Sequence, residues 1–235
     1  MIYVTGDIHG DARDLISRFN SIRLIESDII ILLGDVGINY FLDSRERKKK
    51  KQISNFFPCR ILCVAGNHEE RPKNISSYCR NFYPEFGTFC YVEKEFPNIL
   101  FPEDGIFCLE NYKCLMLGGA YSIDKDYRLS NGLKWFKNEQ MDEITKYNIL
   151  KRLEYINRID YVFSHTCPAQ FVPTHLFLSN IDQSLVDKSM EKFLQQVYDM
   201  LDKDYLKGWY FGHYHSNEVI TDKMNLLYDK IFVIS

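Results

Sequence analysis

The sequence predicts an α/β fold: a two-sheet αββα sandwich, both sheets mixed, with helices on the outside. Three observations lead there. Short apolar runs at 2–4, 29–33 and 60–65 alternate with helix-like stretches, the pattern of a parallel sheet with crossover helices. Two further runs, 106–110 and 113–117, are joined only by Asn111 and Tyr112 and read as a hairpin, which opens a second, partly antiparallel sheet. Several runs end in glycine followed by Asp, Asn or His. Chemistry-bearing side chains therefore gather at the carboxyl ends of the central strands, where α/β sheets hold their sites.

The first run leads into Gly6-Asp7-Ile8-His9-Gly10. In extended backbone, residues two apart share a side, which brings Asp7 and His9 together. Residues 11–19 form a helix, with Asp11 near its N-terminus and Leu15, Phe19 and Ile22 along an apolar stripe. The run DIIILLG is apolar on both faces, as a central parallel strand requires, and it delivers Asp35 to the same edge as Asp7. A second helix is expected from Ser44, ending before Pro58; its RERKKKK segment reads as a solvated face rather than a nucleic-acid patch. The third strand ends at Gly66-Asn67-His68-Glu69.

Prolines at 72, 84, 97 and 102 interrupt the stretch 71–105, which is expected to form loops with short strands and part of a pocket rim. After the hairpin, the polar and aromatic segment 119–135 is either a surface excursion or a substrate wall. A helix is expected at 140–157. A more amphipathic one carries Met190, Leu194, Val197 and Leu201, with Met190 packing in the core. The strand-like run 161–163 leads to Ser164-His165, and 209–211 leads to Gly212-His213-Tyr214-His215. The tail, 218–234, holds three short strands expected to complete the second sheet.

A length of 235 residues fits one domain over 1–235, and 46% hydrophobic residues fit a folded globular chain. Twenty-nine basic against 32 acidic residues, a formal charge of -3, give no general electrostatic case for nucleic-acid binding. The opening residues lack the basic and long apolar segments of a leader, and no run approaches a membrane span. Seven cysteines form no CxxC pair; Cys59, Cys63, Cys108 and Cys114 lie in or beside apolar runs and are expected to be buried thiols. A cytoplasmic chain without membrane association is the expectation.

Five of the six histidines, His9, His68, His165, His213 and His215, follow strand-like runs; only His175 lies elsewhere. Candidate ligands of Asp, Asn and His type, unaccompanied by cysteine, suit borderline divalent ions such as Mn²⁺, Fe²⁺ or Zn²⁺ better than a thiolate zinc site. The ordered set GDIHG, GDVG, GNHE, SHTCP and GHYH, spread from residue 6 to residue 215, resembles the calcineurin-like metallophosphoesterase superfamily.

That resemblance implies two divalent ions, with Mn²⁺ foremost and iron or zinc as alternatives. Asp7, His9 and His215 would hold one, Asn67, His165 and His213 the other, with Asp35 bridging. It implies hydrolysis of a phosphomonoester or phosphodiester by a metal-bridging hydroxide, with His68 protonating or stabilising the leaving oxygen. Glu69 would orient a neighbour or cap the following helix. One departure stands out against the superfamily's protein serine/threonine phosphatases, whose second motif extends as GDxVDRG. Here Ile38 replaces the aspartate paired with the catalytic histidine, and Asn39 replaces a phosphate-binding arginine. Neither can do the work of the residue it replaces, so a phosphatase of that subgroup is not expected. Arg128, in the segment after Gly118-Gly119, is the candidate replacement cation. The expected substrate is a phosphorylated small molecule or a phosphodiester. The rival readings are a nuclease and a non-catalytic metal-binding interaction module.

Overall fold

The structure, a computed structural model, describes residues 1–177 and 182–234. The elements in chain order are β1 (Ile2–Thr5), α1 (Ala12–Phe19), β2 (Ile29–Leu32), α2 (Ser44–Phe56), β3 (Arg60–Cys63), β4 (Tyr78–Tyr83), β5 (Thr88–Glu93), β6 (Ile99–Pro102), β7 (Gly105–Leu109) and β8 (Tyr112–Leu117). They continue with α3 (Lys125–Ser130), α4 (Glu143–Leu153), β9 (Tyr161–Ser164), α5 (Ser189–Met200), β10 (Gly208–Phe211), β11 (Glu218–Val219), β12 (Met224–Leu226) and β13 (Phe232–Ile234). The first sheet runs β13-β1-β2-β3-β6-β5-β4 and the second β11-β12-β10-β9-β8-β7. Each has a parallel centre, β1-β2-β3-β6 and β12-β10-β9-β8, with antiparallel strands at its edges. This is the expected mixed-sheet αββα sandwich.

Side-chain alternation builds its layers. Ile29 and Ile31 of β2 face the space between the sheets, while Ile30 and Leu32 face α1 and α2. In β10, Tyr210 points between the sheets, and Trp209 and Phe211 point to the layer under α4 and α5. A strand covered on both faces needs apolar residues at every position, which is why these runs look continuous in sequence. Asp11 caps α1 by accepting from Arg13 N–H and Asp14 N–H, both at 3.0 Å, and Asp43 caps α2 by accepting from Arg45 N–H at 2.9 Å.

Three expectations need correction, while the short strands expected in 71–105 are present. The tail does not complete the second sheet alone, because β13 pairs antiparallel with β1 at the edge of the first. Apolar alternation marks a strand but carries no information about its partner. The stretch 71–105 holds three strands, β4, β5 and β6, which widen the first sheet; Pro102 falls at the end of β6, where it breaks no central ladder. Its residues Arg71, Pro72, Lys73, Tyr91, Phe101 and Asp104 line a cavity of about 230 Å³ that includes none of the seven ligand candidates. The basic run of α2 is only partly a solvated face. Lys50 turns inward to pair with Glu93 at 2.6 Å, and buried Glu46 accepts from the N–H groups of Phe41 and Leu42. Finally, Cys59, Cys63 and Cys114 are buried free thiols as expected, but Cys108 is only half-buried.

Candidate metal centre

Six strands, β1, β2 and β3 of the first sheet and β8, β9 and β10 of the second, send their carboxyl ends to one edge of the sandwich. The loops leaving β1, β2, β3, β9 and β10 carry every ligand candidate. Asp7 and His9 do not converge through extended backbone, however. His9 has φ 44°, Asp35 44°, His213 71° and His215 50°, four of the six non-glycine residues with positive φ among the described ones. Such backbone costs of order 1–3 kcal/mol per residue and persists where packing dictates it, typically at functional sites. The side chains meet because the chain turns sharply after each strand.

Two glycines show how tight the assembly is. A Cβ on Gly66 would sit 2.0 Å from Asp35 Oδ1, and one on Gly212 would sit 2.2 Å from Asp7 Oδ1. Only a residue without a side chain lets these backbones approach the carboxylates.

The ligand atoms of Asp7, His9 and His215 lie within 4.8 Å of one another, as do those of Asp7, Asp35 and His165. His9 Nε2 and His215 Nε2 face each other at 2.9 Å, and His215 Nε2 is 3.3 Å from Asp7 Oδ2. Asp7 is buried; its Oδ1 accepts from His213 N–H at 3.1 Å, while Oδ2 has no hydrogen-bond partner. Leaving a buried carboxylate oxygen unpaired costs several kcal/mol unless a cation satisfies it.

The second group has the same character. His165 Nδ1 lies 2.8 Å from Leu33 O, a carbonyl that can only accept, so Nδ1 carries a proton, and whenever the ring is neutral Nε2 is the nitrogen with the lone pair. That lone pair faces Asn67 Oδ1 at 2.7 Å and lies 3.6 Å from Asp35 Oδ1. The donor set fits divalent ions: it consists of carboxylate, amide and imidazole atoms whose lone pairs point at shared space. His213 joins neither trio of mutually close ligand atoms, but its ring lies against that of His165 with centroids 5.0 Å apart.

Electrostatics keep most of these groups in ligand form. Burial pushes the Asp35 carboxyl up, but the His165 and His68 rings, His68 N–H and the His9 ring outweigh it and hold it at about 2. Burial lowers His213 to about 3 and also lowers His9. His215 is raised, chiefly by the Asp7 carboxylate 3.3 Å away.

His68 stands beside the cluster, its Nε2 4.0 Å from Asp35 Oδ2 and its N–H donated to Asp35 Oδ1 at 2.9 Å. Burial pulls its pKa down; Asp35 and Asp124 pull it up and Arg128 adds to the lowering. Arg128 therefore lies within electrostatic reach of His68. It sits on α3 with Nε bonded to Asp124 Oδ2 at 2.7 Å. Ile38 and Asn39 both point inward; Asn39 Oδ1 accepts from Tyr78 O–H at 2.9 Å, so neither side chain meets a ligand at the edge.

Three supports hold the centre from behind, one inside the sequence motifs and two outside them. Glu69 does not cap a following helix. It accepts from Val36 N–H at 3.2 Å, Gly37 N–H at 3.1 Å and Gly66 N–H at 3.4 Å, tying the second loop to the third. Burial, with Asp35 nearby, raises it to about 8. Arg18, in the last turn of α1, donates to Tyr228 O at 2.7 Å, Asp7 O at 2.9 Å and Thr5 Oγ1 at 2.9 Å. The Tyr228 ring packs 5.1 Å from that of His215. Ser122 accepts from Asn67 Nδ2 at 2.8 Å. An Arg near a helix end or a Ser in a polar loop has no spacing signature, so sequence pattern could not single them out.

A mixed αββα sandwich whose loops collect these carboxylates and imidazoles at one edge defines a metal-dependent hydrolase. The calcineurin-like phosphoesterase family matches residues 1–217, and the chain belongs to that family. No curated protein is significantly similar to it. Among solved structures it is similar to the phosphopantetheinyl hydrolase PptH of Mycobacterium tuberculosis, with 13% identity, a TM-score of 0.49, and 96% of this chain and 86% of that one covered. That distant likeness bears on neither substrate nor chemistry.

Proposed function

We propose that the chain, working as one domain over 1–235, hydrolyses phosphomonoesters or phosphodiesters with two divalent ions, Mn²⁺ foremost. Asp7, His9 and His215 would hold one ion, and Asn67, His165 and His213 the other, with Asp35 available to both. The observation that carries this reading is Asp7 Oδ2, a buried carboxylate oxygen without a hydrogen-bond partner, 3.3 Å from His215 Nε2. Bound ions of this kind supply activation of water and stabilisation of charge on phosphoryl oxygens.

The chain's own residues do the rest. Asp35, held ionised down to about 2, stays a ligand across the working pH range. His165 keeps its Nε2 lone pair available because Leu33 O fixes its tautomer. His68 donates a proton at Nε2 to the departing oxygen; burial lowers its pKa and the neighbouring Asp35 opposes that, helping to keep the ring protonated. Arg128 supplies the positive charge that Asn39 cannot, and α3 carries it toward the substrate.

Chelated protein should hydrolyse neither p-nitrophenyl phosphate nor bis-p-nitrophenyl phosphate, and added Mn²⁺ should restore at least one. The ester that is restored separates a monoesterase from a diesterase. Full activity after exhaustive chelation, or in Asp35→Asn, would overturn the reading.

A further inference from the structure

We propose that the metal centre takes small phosphoesters carrying a second phosphate, and that Lys49 and Lys134 form the subsite for that second group. The proposal rests on the phosphoesterase reading above and names a substrate class for it. Lys49 belongs to the basic run of α2. Lys48 and Lys51 of that run are exposed, but Lys49 is half-buried. A Cβ on Gly10 would sit 2.4 Å from Lys49 Nζ, so the ammonium lies against the loop that carries His9. Gly37 of the second loop packs onto the same spot: a Cβ there would meet Gly10 N at 2.4 Å and His9 C at 2.5 Å. Lys49 thus reaches the rim of the centre on the side where the His9 side chain is 37% exposed.

Phe41 joins this lysine to further cations. Its ring lies 5.6 Å from Lys49 Nζ and 3.6 Å from the Arg45 guanidinium, and its carbonyl accepts from Lys134 Nζ at 2.9 Å. Lys134 O in turn accepts from Arg128 Nη1 at 3.4 Å. Lys49, Lys134 and Arg128 therefore form an arc that runs from the first loop, over the second, to α3. The nearby carboxylates are committed elsewhere. Asp43 turns both oxygens to Arg45, and Asp124 holds Arg128 Nε. Buried Glu46 accepts from the N–H groups of Phe41 and Leu42, and Asp11 caps α1. Among the described residues, neither Lys49 nor Lys134 has a carboxylate oxygen within 4.0 Å.

Arg45 and Lys49, four apart on one helix face, repel each other, and an anion bound beside them relieves that repulsion. In a chain of formal charge -3, cations without carboxylate partners beside a phosphoryl site mark where further negative charge of the substrate is received. Arg128 serves the phosphoryl group that is cleaved, and the two lysines, further round the arc, take the second. Their ammonium groups suit it as compact charges with rotatable donors that form charge-assisted hydrogen bonds to phosphate. The arc is too short to track a nucleic-acid strand, since grooves of that kind follow about 4–16 nucleotides. The substrate class is a small compound with two or more phosphates.

The test is calorimetric titration of the Mn²⁺-loaded protein with propylphosphonate and with a series of alkane bisphosphonates of increasing spacer length, none of them hydrolysable. The best-fitting bisphosphonate should bind the parent about tenfold or more tighter than propylphosphonate, because its second end adds charge-assisted contacts to those at the metals. Lys49→Gln and Lys134→Gln should each remove about threefold of that advantage, and the double variant all of it, with propylphosphonate affinity unchanged. Lys49→Arg keeps the charge and should keep most of the advantage. No bisphosphonate preference in the parent, or a preference that survives in the double variant, overturns the proposal and leaves the phosphoesterase reading standing. Propylphosphonate that binds the metal-free chain as tightly as the loaded one refutes the two-ion reading and the proposal together.

Discussion

Replacing Arg18 by Met keeps an aliphatic stem in the same space and removes every guanidinium donor. The Arg18 side chain is 6% exposed and satisfies Tyr228 O, Asp7 O and Thr5 Oγ1 at 2.7–2.9 Å. Its ion pair with Asp14 matters less, since Asp14 is 43% exposed and water can take over. Each buried acceptor left without a donor costs about 1–3 kcal/mol, and removing one partner of a buried charged network typically costs about 3–5 kcal/mol in all. For a chain of this size one kcal/mol moves Tm by about 2–4 °C, so Arg18→Met should melt roughly 6–20 °C below the parent. The effect should reach the metal, because Arg18 holds both the Asp7 carbonyl and Tyr228, whose ring lies against His215. Thermal unfolding by circular dichroism, with and without Mn²⁺, measures both. A shift below about 2 °C with undiminished stabilisation by Mn²⁺ would refute the role given to Arg18.

Gly66→Ala places a methyl against Asp35 Oδ1 and Asp35 backbone N at 2.0 and 2.2 Å. It should cost about 1–3 kcal/mol in thermal stability and lower metal affinity at least about tenfold; parent-like metal binding counts against the tight packing. His68→Ala should keep both ions yet lose roughly 10²–10⁴ in kcat on an alkyl phosphoester, with a clearly smaller loss on a nitrophenyl ester, where the leaving oxygen needs no proton. Equal losses on both esters with depleted metal would make His68 a support and not an acid. Stability of the metal-free chain should fall with pH. His213 takes a proton near its ordinary pKa when unfolded but only at about 3 when folded, so folding loses free energy as pH drops through that window. The slope is at most about 1.4 kcal/mol per pH unit, and urea melts of His213→Gln should show it reduced; an identical pH slope in the variant refutes the assignment.

The parallel centres of both sheets were legible because a strand buried on both faces must be apolar throughout, as 29–33 and 209–211 are. The seven ligand candidates were legible because each loop begins at a strand's carboxyl end. Asp7 and His9 were placed together for the wrong reason. The strand stops at Thr5, and the turn through His9, at φ 44°, brings the side chains together. The pairing of β13 with β1 and the inward turn of Lys50 depend on contacts 232 and 43 residues away, for which local pattern carries no signal. Glu69 was visible as a residue of its motif, but its three backbone partners were not. Arg18 and Ser122 support the centre through hydrogen bonds across the fold, and these appear only once the loops have been brought together.

The central claim is that two bound ions make this chain a phosphoesterase. Metal-free protein titrated with Mn²⁺, with hydrolysis of mono- and bis-p-nitrophenyl phosphate followed at each addition, tests it most directly. Activity should rise and level off at two equivalents per chain, and Asp35→Asn should abolish it. Two ions bound without hydrolysis of either ester, or activity that saturates at one equivalent and survives Asp35→Asn, would contradict it.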